Sequence, residues 1–276
     1  MRSDLFSHIG QKNSIQKYFI TMKIAIIGAG NMGGATALGL ARFIPEIEVT
    51  ATAKHQETLN KYSSSRIKTT LDNAAAVKGA DLIVMGVKPW LLKEVLSPLL
   101  PLMEGKTLVS LAAGIPAATI KEWTEGQGIK GVYTVIPNLA IEIGESMTFI
   151  NEVFGTEETR TVVTGLFNSV GKALLVDEKR LGAGMMVASC GTAFALRYVR
   201  AATEGGVELG LYPREALEAA LQTVKGAAML AEAHGTHPEQ EIDKVTTPGG
   251  ITIRGLNAME EAGFSNAVIQ GLKIWK

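Results

Sequence analysis

Three glycines at 28, 30 and 33 and two threonines at 247 and 252 are the residues of this 276-residue chain whose types and spacing could do chemistry. The glycines form G-x-G-x-x-G directly after the apolar run "KIAII" and at the head of the helical segment "NMGGATALGL". In that context the first glycine permits a tight turn, the second lets the backbone approach a pyrophosphate, and the third lets a helix lie close on its strand. The free amides and dipole of the helix start then face the phosphates. Gly28, Gly30, Asn31, Met32 and Gly33 are therefore expected to line a dinucleotide site, a glycine-rich packing turn being the plainer alternative. Far downstream, "KVTTPGGITIRGL" (residues 244–256) sets hydroxyls beside bare backbone. Such a turn suits a small anion. It also reads as an ordinary helix start, with Thr246 or Thr247 as cap and Pro248 in the first turn.

The end of the second strand selects the dinucleotide. A carboxylate there holds the 2′-hydroxyl of NAD, whereas basic or small polar residues leave room for the 2′-phosphate of NADP. In "EVTATAKHQET" the strand runs out near Thr52 and Ala53, Lys54 and His55 follow, and no carboxylate comes before Glu57. NADPH is the expected cofactor, bound in part by Lys54, with NADH as the alternative. Two more loops leave the carboxyl ends of strands, where ligands of open α/β sheets sit. "GVKPW" offers Val87 and Lys88, and "LAAGIP" offers Ala112 and Gly114, as further cofactor-binding residues. Lys88 either places an ammonium near the cofactor or is a solvated lysine at a helix start. Asn73 in "TTLDNAAAV" either caps a helix or reaches the adenosine half.

These residues need a sheet to hold them. Apolar runs "KIAII", "IEVTAT", "DLIVMGV", "KTLVSLAA" and "GVYTVIP" are interleaved with helical segments, the first two near 31–43 and 55–62. Continuous apolar strands separated by helices predict a Rossmann-type, doubly wound parallel sheet covered on both faces. After "MTFI", a helix near 156–168 and the short strand "KALLV", helical spacing takes over from Asp177, with Pro213 opening a long helix and Gly235 closing it. The expected class is α/β, with an NAD(P)-binding domain over 22–177 and an all-helical domain over 178–276. The second is too thin and too apolar to stand alone, so it is expected to pair with another copy. Residues 1–21 carry Arg2, Lys12 and Lys17 against Asp4 without the apolar run of a secretory signal, and read as a disordered leader or an extended start ahead of Met22.

Lys plus Arg and Asp plus Glu number 27 each, so no net field favours nucleic acid or an anionic membrane, and a small-molecule partner is expected. The longest uncharged stretch of the C-terminal half, "LGAGMMVASCGTAFAL", falls short of the ~20 apolar residues of a spanning helix. A single cysteine, Cys190, excludes an internal disulfide and fits a reducing, cytoplasmic setting. It lies in an apolar helix without a basic partner nearby in sequence, unlike a nucleophile. His234 and His237 have ligand-like spacing, yet no cysteine or third histidine joins them, and "EAHGTHPEQE" reads as a solvated turn between helices. No metal is expected.

"IAIIGAGNMGGA", "DLIVMGVKP", "SLAAGI", "IPN" at 136–138, "GVELGL" and above all "VTTPGGITIRGLNAMEEAGF" together resemble the pyrroline-5-carboxylate reductases, from about Met22 to the C-terminus and in the family's order. The resemblance implies an NAD(P)H domain, a helical dimerisation domain, assembly as a dimer or a ring of dimers, and a substrate pocket at the dimer interface against the nicotinamide. It implies that the Thr252 hydroxyl bonds the ring nitrogen of the substrate, that Thr247, Gly250 and Ile251 hold its carboxylate, and that Asn138 lies at the substrate. The implied reaction is hydride transfer to the C=N carbon of 1-pyrroline-5-carboxylate, giving L-proline in the last step of proline biosynthesis. Because the imine nitrogen is itself basic, a tuned His or Glu acid is not obligatory.

Two stretches depart from the family pattern. "ASCGTAF" at 188–194 stands for Ser-Gly-Ser-Gly-Pro-Ala-Tyr, and "IPNLA" at 136–140 stands for Met-Pro-Asn-Thr-Pro. Both bear on substrate breadth and keep another cyclic imine as an alternative. A β-hydroxyacid dehydrogenase would share G-x-G-x-M-G but need Gly-x-x-x-Lys-x-x-Asn, which the surroundings of Lys225 lack. A non-catalytic NADP sensor would need no hydroxyls at 247 and 252.

Overall fold

The computed structural model describes Phe19 and residues 21–275. Eight strands, β1 (Lys23–Ile27), β2 (Glu48–Thr52), β3 (Lys68–Thr70), β4 (Leu82–Met85), β5 (Thr107–Ser110), β6 (Gly131–Ile136), β7 (Ser146–Phe154) and β8 (Gly171–Leu175), form one sheet in the order β3-β2-β1-β4-β5-β6-β7-β8. The first six run parallel. Helices α1 (Asn31–Phe43), α2 (Gln56–Asn60), α3 (Asn73–Lys78), α4 (Leu92–Leu96), α5 (Ala117–Thr124) and α6 (Glu157–Asn168) lie between strands. Every residue of β4, β5 and β6 is buried, because each strand is covered on both faces. The period-2 alternation of β1 shows it directly. Ile24 and Ile26 enter one apolar core while Ala25 and Ile27 enter the other.

The sheet departs from the all-parallel expectation at its far edge. β7 pairs antiparallel with β6, and β8 runs parallel to β7. The connection from Ile136 to Ser146 holds only a 3-10 turn, Leu139–Ile143, and is too short for a crossover, so the chain must double back. β3 escapes sequence reading because "KTT" is short, polar and largely exposed at the other edge.

The leader expected over 1–21 lies, apart from Phe19 and Thr21, outside the described residues. Phe19 is buried in the core that holds Ile24 and Ile26, so the chain just before β1 is anchored.

The chain divides into two compact units, Met1–Ser189 and Cys190–Lys276. The sheet unit therefore runs past 177, where the sequence pattern changes. Helix α7 (Glu178–Gly184) is capped by Asp177, and a side chain at Gly184 would run into the Phe149 ring of β7, so the helix backbone lies directly on that ring. A π-helical turn, Met185–Cys190, follows.

The second unit contains α8 (Gly191–Glu208), α9 (Pro213–His234), α10 (Pro238–Lys244), α11 (Ile251–Glu261) and α12 (Phe264–Lys273). Helix α9 starts with Pro213 at its first turn and ends at Gly235 in the left-handed conformation, as the sequence predicts. Only Val199 of α8 and Ala216 of α9 are buried, and nothing in α11 or α12 is.

Candidate active site: a glycine cradle and a threonine turn

Parallel register places Ile27 beside Thr52 and Met85, and Met85 beside Ser110, so the loops after β1, β2, β4 and β5 leave the sheet along one edge. There Gly28 takes φ 94°, a conformation side chains disfavour, and its N–H and that of Ala29 donate to the Thr52 carbonyl at 3.2 and 2.7 Å. A Cβ at 28 would lie 2.7 Å from Val87 Cγ1, and one at 33 would run into the Gly28 carbonyl oxygen. Gly86 completes this close approach, since a Cβ there would fall 2.9 Å from Gly33 Cα. Gly30 differs, with nothing within 4 Å of where its Cβ would be. It is the N-cap of α1 without any side-chain capping bond, so space and first-turn amides coincide where a pyrophosphate would approach.

Beneath the turn, fully buried Thr52 accepts the Gly28 N–H at 3.3 Å and donates its hydroxyl to Asn73 Oδ1 at 2.6 Å. Helix α3 is capped by Asp72, which accepts from Ala75 N–H at 3.0 Å. The capping alternative for Asn73 is thereby corrected. Its amide oxygen accepts from the Thr52 hydroxyl. Sequence reasoning used Thr52 only to mark a strand end and Gly86 only to mark a loop; a hydroxyl on the last residue of β2 and a glycine straight after β4 were the signals.

Glu48, the one carboxylate of β2, is its first residue and pairs with Lys68 at 2.5 Å, at the opposite end from the glycine turn. The Lys68 ammonium beside it holds the carboxyl below its ordinary range. The ligand edge of β2 thus offers exposed Lys54 and His55, the latter opening α2. Lys88 starts a 3-10 turn, Pro89–Leu91, and its ammonium stands 5.9 Å from the centre of the Trp90 ring, which is 76% exposed. Neither reading of Lys88 anticipated this aromatic neighbour. Ala112 is buried and donates its N–H to Ser110 Oγ at 3.3 Å, while Gly114 is exposed at φ 81°.

Asn138 follows β6 and is almost fully buried. Its Oδ1 accepts from Ala140 N–H at 3.1 Å, capping the 3-10 turn, and its Nδ2 donates to the Ala188 carbonyl at 3.3 Å in the π-helical turn. Each end of the amide makes one bond within the protein, so Asn138 ties two loops together.

In the second unit, Gly250 donates its N–H to the Thr247 carbonyl at 2.9 Å, closing a four-residue turn with Pro248 second and Gly249, at φ 69°, third. That is the pattern of a type II turn. Helix α11 starts at Ile251 with Gly250 as its cap, so neither Thr246 nor Thr247 caps it and Pro248 stands outside, contrary to the helix-start reading. The Thr246 hydroxyl is committed to the Asp243 carbonyl at 3.0 Å. A Cβ on Gly250 would sit 2.5 Å from Thr247 Oγ1, so only glycine lets that hydroxyl close over the helix start. Ile251 and Thr252 are exposed at the first two positions of α11. Uncapped first-turn amides with threonines at 247 and 252 are the type of helix start that can take a small anion.

Similarity to known proteins covers both units. A pyrroline-5-carboxylate reductase of Pisum sativum is 34% identical over 259 residues, 91% of this chain and 93% of its own. Pyrroline-5-carboxylate reductase 2 of Dictyostelium discoideum is 30% identical over 266 residues, 90% and 89% of the two chains. The chain belongs to the pyrroline-5-carboxylate reductase family. The family model for pyrroline-5-carboxylate reductase dimerisation matches residues 178–274, and the model described as NADP oxidoreductase, coenzyme F420-dependent, matches 23–114. The crystal structure of Plasmodium falciparum pyrroline carboxylate reductase with NADP bound superposes with a TM-score of 0.84 over 93% of this chain and 96% of that one; at 23% identity it speaks for the fold. No described helix of this reductase is long and apolar enough to cross a membrane.

Proposed function

We propose that this chain reduces 1-pyrroline-5-carboxylate to L-proline with NADPH, and that the site residues act as follows. The observation that carries the reading is the pairing, in one chain of this family, of a glycine turn open at Gly30 with a Thr247–Thr252 turn whose first-turn amides are uncapped. When bound, the dinucleotide supplies a hydride for the C=N carbon. Gly28, Gly30, Asn31, Met32 and Gly33 would hold its pyrophosphate, Asn73 its adenosine half, and Val87, Lys88, Ala112 and Gly114 would border it along the strand ends.

The Thr247 hydroxyl and the amides at Gly250 and Ile251 would take the substrate carboxylate, fixing the ring in one orientation. The Thr252 hydroxyl would bond the ring nitrogen, which enters as the iminium and leaves as the amine. Asn138 would lie at the substrate, its amide holding the loops it ties and its second N–H offered to the substrate. Oxidation of NADPH on addition of this imino acid tests the reading; NADPH binding without oxidation would overturn it.

The 2′-phosphate is assigned to Lys54. Lys54→Glu is expected to raise the KM for NADPH by roughly tenfold or more through like-charge repulsion, with little change for NADH. An unaltered preference between the two cofactors would remove that assignment.

A homodimer through the helical unit is proposed on two grounds, the match to the dimerisation model and the exposed apolar side chains Leu196, Leu221, Met229 and Ile269. One feature favours a second substrate reading. The π-helical turn Met185–Cys190 overlaps the start of the altered "ASCGTAF" stretch at residues 188–190, and such turns gather at functional sites. A six-membered cyclic imino acid assayed beside the five-membered one distinguishes the two.

A further inference from the structure

Glu241 is a carboxylate buried to 9% exposure in α10. Its Oε1 accepts from His234 Nδ1 at 3.0 Å, from Thr236 Oγ1 at 2.5 Å and from Lys244 Nζ at 2.7 Å. A carboxylate can only accept, so this pairing puts the imidazole proton on Nδ1. The donors come from three places, namely the last residue of α9, the connection after it and the last residue of α10. The Lys244 bond first, then those of Thr236 and His234, pull the Glu241 carboxyl down to about 2 from its ordinary 4.5. The group is therefore ionised at any pH used to assay the enzyme. "EAHGTHPEQE" is thus no merely solvated turn, and His237 serves it too, accepting the Glu239 N–H at 3.3 Å as cap of α10.

Helix α10 has 7 residues, too few to be stable by itself, so its direction depends on what ties it down. Its carboxyl end runs by successive hydrogen bonds into the threonine turn: Val245 N–H to the Ile242 carbonyl at 3.0 Å, Thr246 Oγ1 to the Asp243 carbonyl at 3.0 Å, then Gly250 N–H to the Thr247 carbonyl. Glu241 fastens this series back onto α9, the 22-residue helix of the unit.

We infer that Glu241 is a positioning residue for the reaction: by clamping His234, Thr236 and Lys244 it sets the corner that presents Thr247 and Thr252 to the imino acid. The inference rests on the substrate reading of that turn. Lys244 meets Glu241 from one turn along α10 itself, whereas His234 and Thr236 reach it only once the connection folds α10 back on the end of α9.

Steady-state reduction of 1-pyrroline-5-carboxylate by the full-length parent, Glu241→Gln and Thr236→Val tests it. Glu241→Gln keeps one acceptor oxygen for the donors, its NH2 taking the place of the buried Oε2 that has no hydrogen-bond partner among the described residues, and removes the charge opposite Lys244, whereas Thr236→Val removes one of the three bonds. The KM for the imino acid is expected to rise a few-fold in each variant, more than kcat falls, with NADPH affinity within about twofold of the parent. A parent-like KM in both variants, or a lower kcat at unchanged KM as loss of folded protein would give, overturns the inference. If Glu241→Gln does not fold, the KM of Thr236→Val decides. A parent that binds NADPH yet ignores the imine removes the substrate reading itself, and this inference with it.

Discussion

Thr252→Ala is expected to lower kcat for the imino acid by roughly ten- to a hundredfold, the scale of losing one positioned hydrogen bond at a reacting centre. The residue is exposed in the first turn of α11 and makes no contact that the fold depends on among the described residues. Alanine suits a helix at least as well as threonine, so melting temperature should hold. NADPH affinity should hold too, because the glycine turn and Asn73 lie in the other compact unit. Thr252→Ser, which keeps the hydroxyl, is expected to restore most of the turnover. Fluorescence titration with NADPH beside the steady-state assay checks the separation. A parallel loss of cofactor binding, or an inactive serine variant, would mean the hydroxyl is not the group that matters.

The second large effect lies in the glycine cradle, where Gly30→Ala and Gly33→Ala should part company. A methyl at 30 enters open space, so Gly30→Ala should fold normally and lose NADPH affinity alone, by the steric cost of filling ligand space. A methyl at 33 collides with the Gly28 carbonyl oxygen and comes 3.3 Å from Gly86 Cα, backbone atoms that cannot rotate aside. Gly33→Ala should cost about 1–3 kcal/mol of stability, as overpacking does, besides its loss of cofactor binding. Thermal melts with and without NADPH measure both. Equal melting temperatures for the two variants without cofactor would contradict the close helix-to-strand contact.

The NADPH half of the site was legible because its logic is local. Strand, glycine turn and helix follow one another within "KIAIIGAGNMGG", and the absence of a carboxylate after Thr52 is a matter of chain order. Glu48 could be dismissed only once register put it at the amino end of β2 beside Lys23, where it pairs with the Lys68 side chain. The substrate turn was legible as a motif but not in its geometry. Thr247 was a fair candidate for cap by residue type, yet the left-handed Gly249 carries the chain through a turn first and hands the cap to Gly250.

By itself the sequence determined the alternation of elements, the glycine positions, the limits of α1 and α9, and the family, because periodicity, capping and turn chemistry act between near neighbours. Tertiary structure alone decided what depends on distant residues meeting. It reversed β7 where a short connection forbade a crossover, joined Gly28 through Thr52 to Asn73, and tied the Asn138 amide to the Ala188 carbonyl. The reason is physical: a buried polar group must find a partner, and which partner it finds is set by how strands and helices pack rather than by its neighbours in the chain.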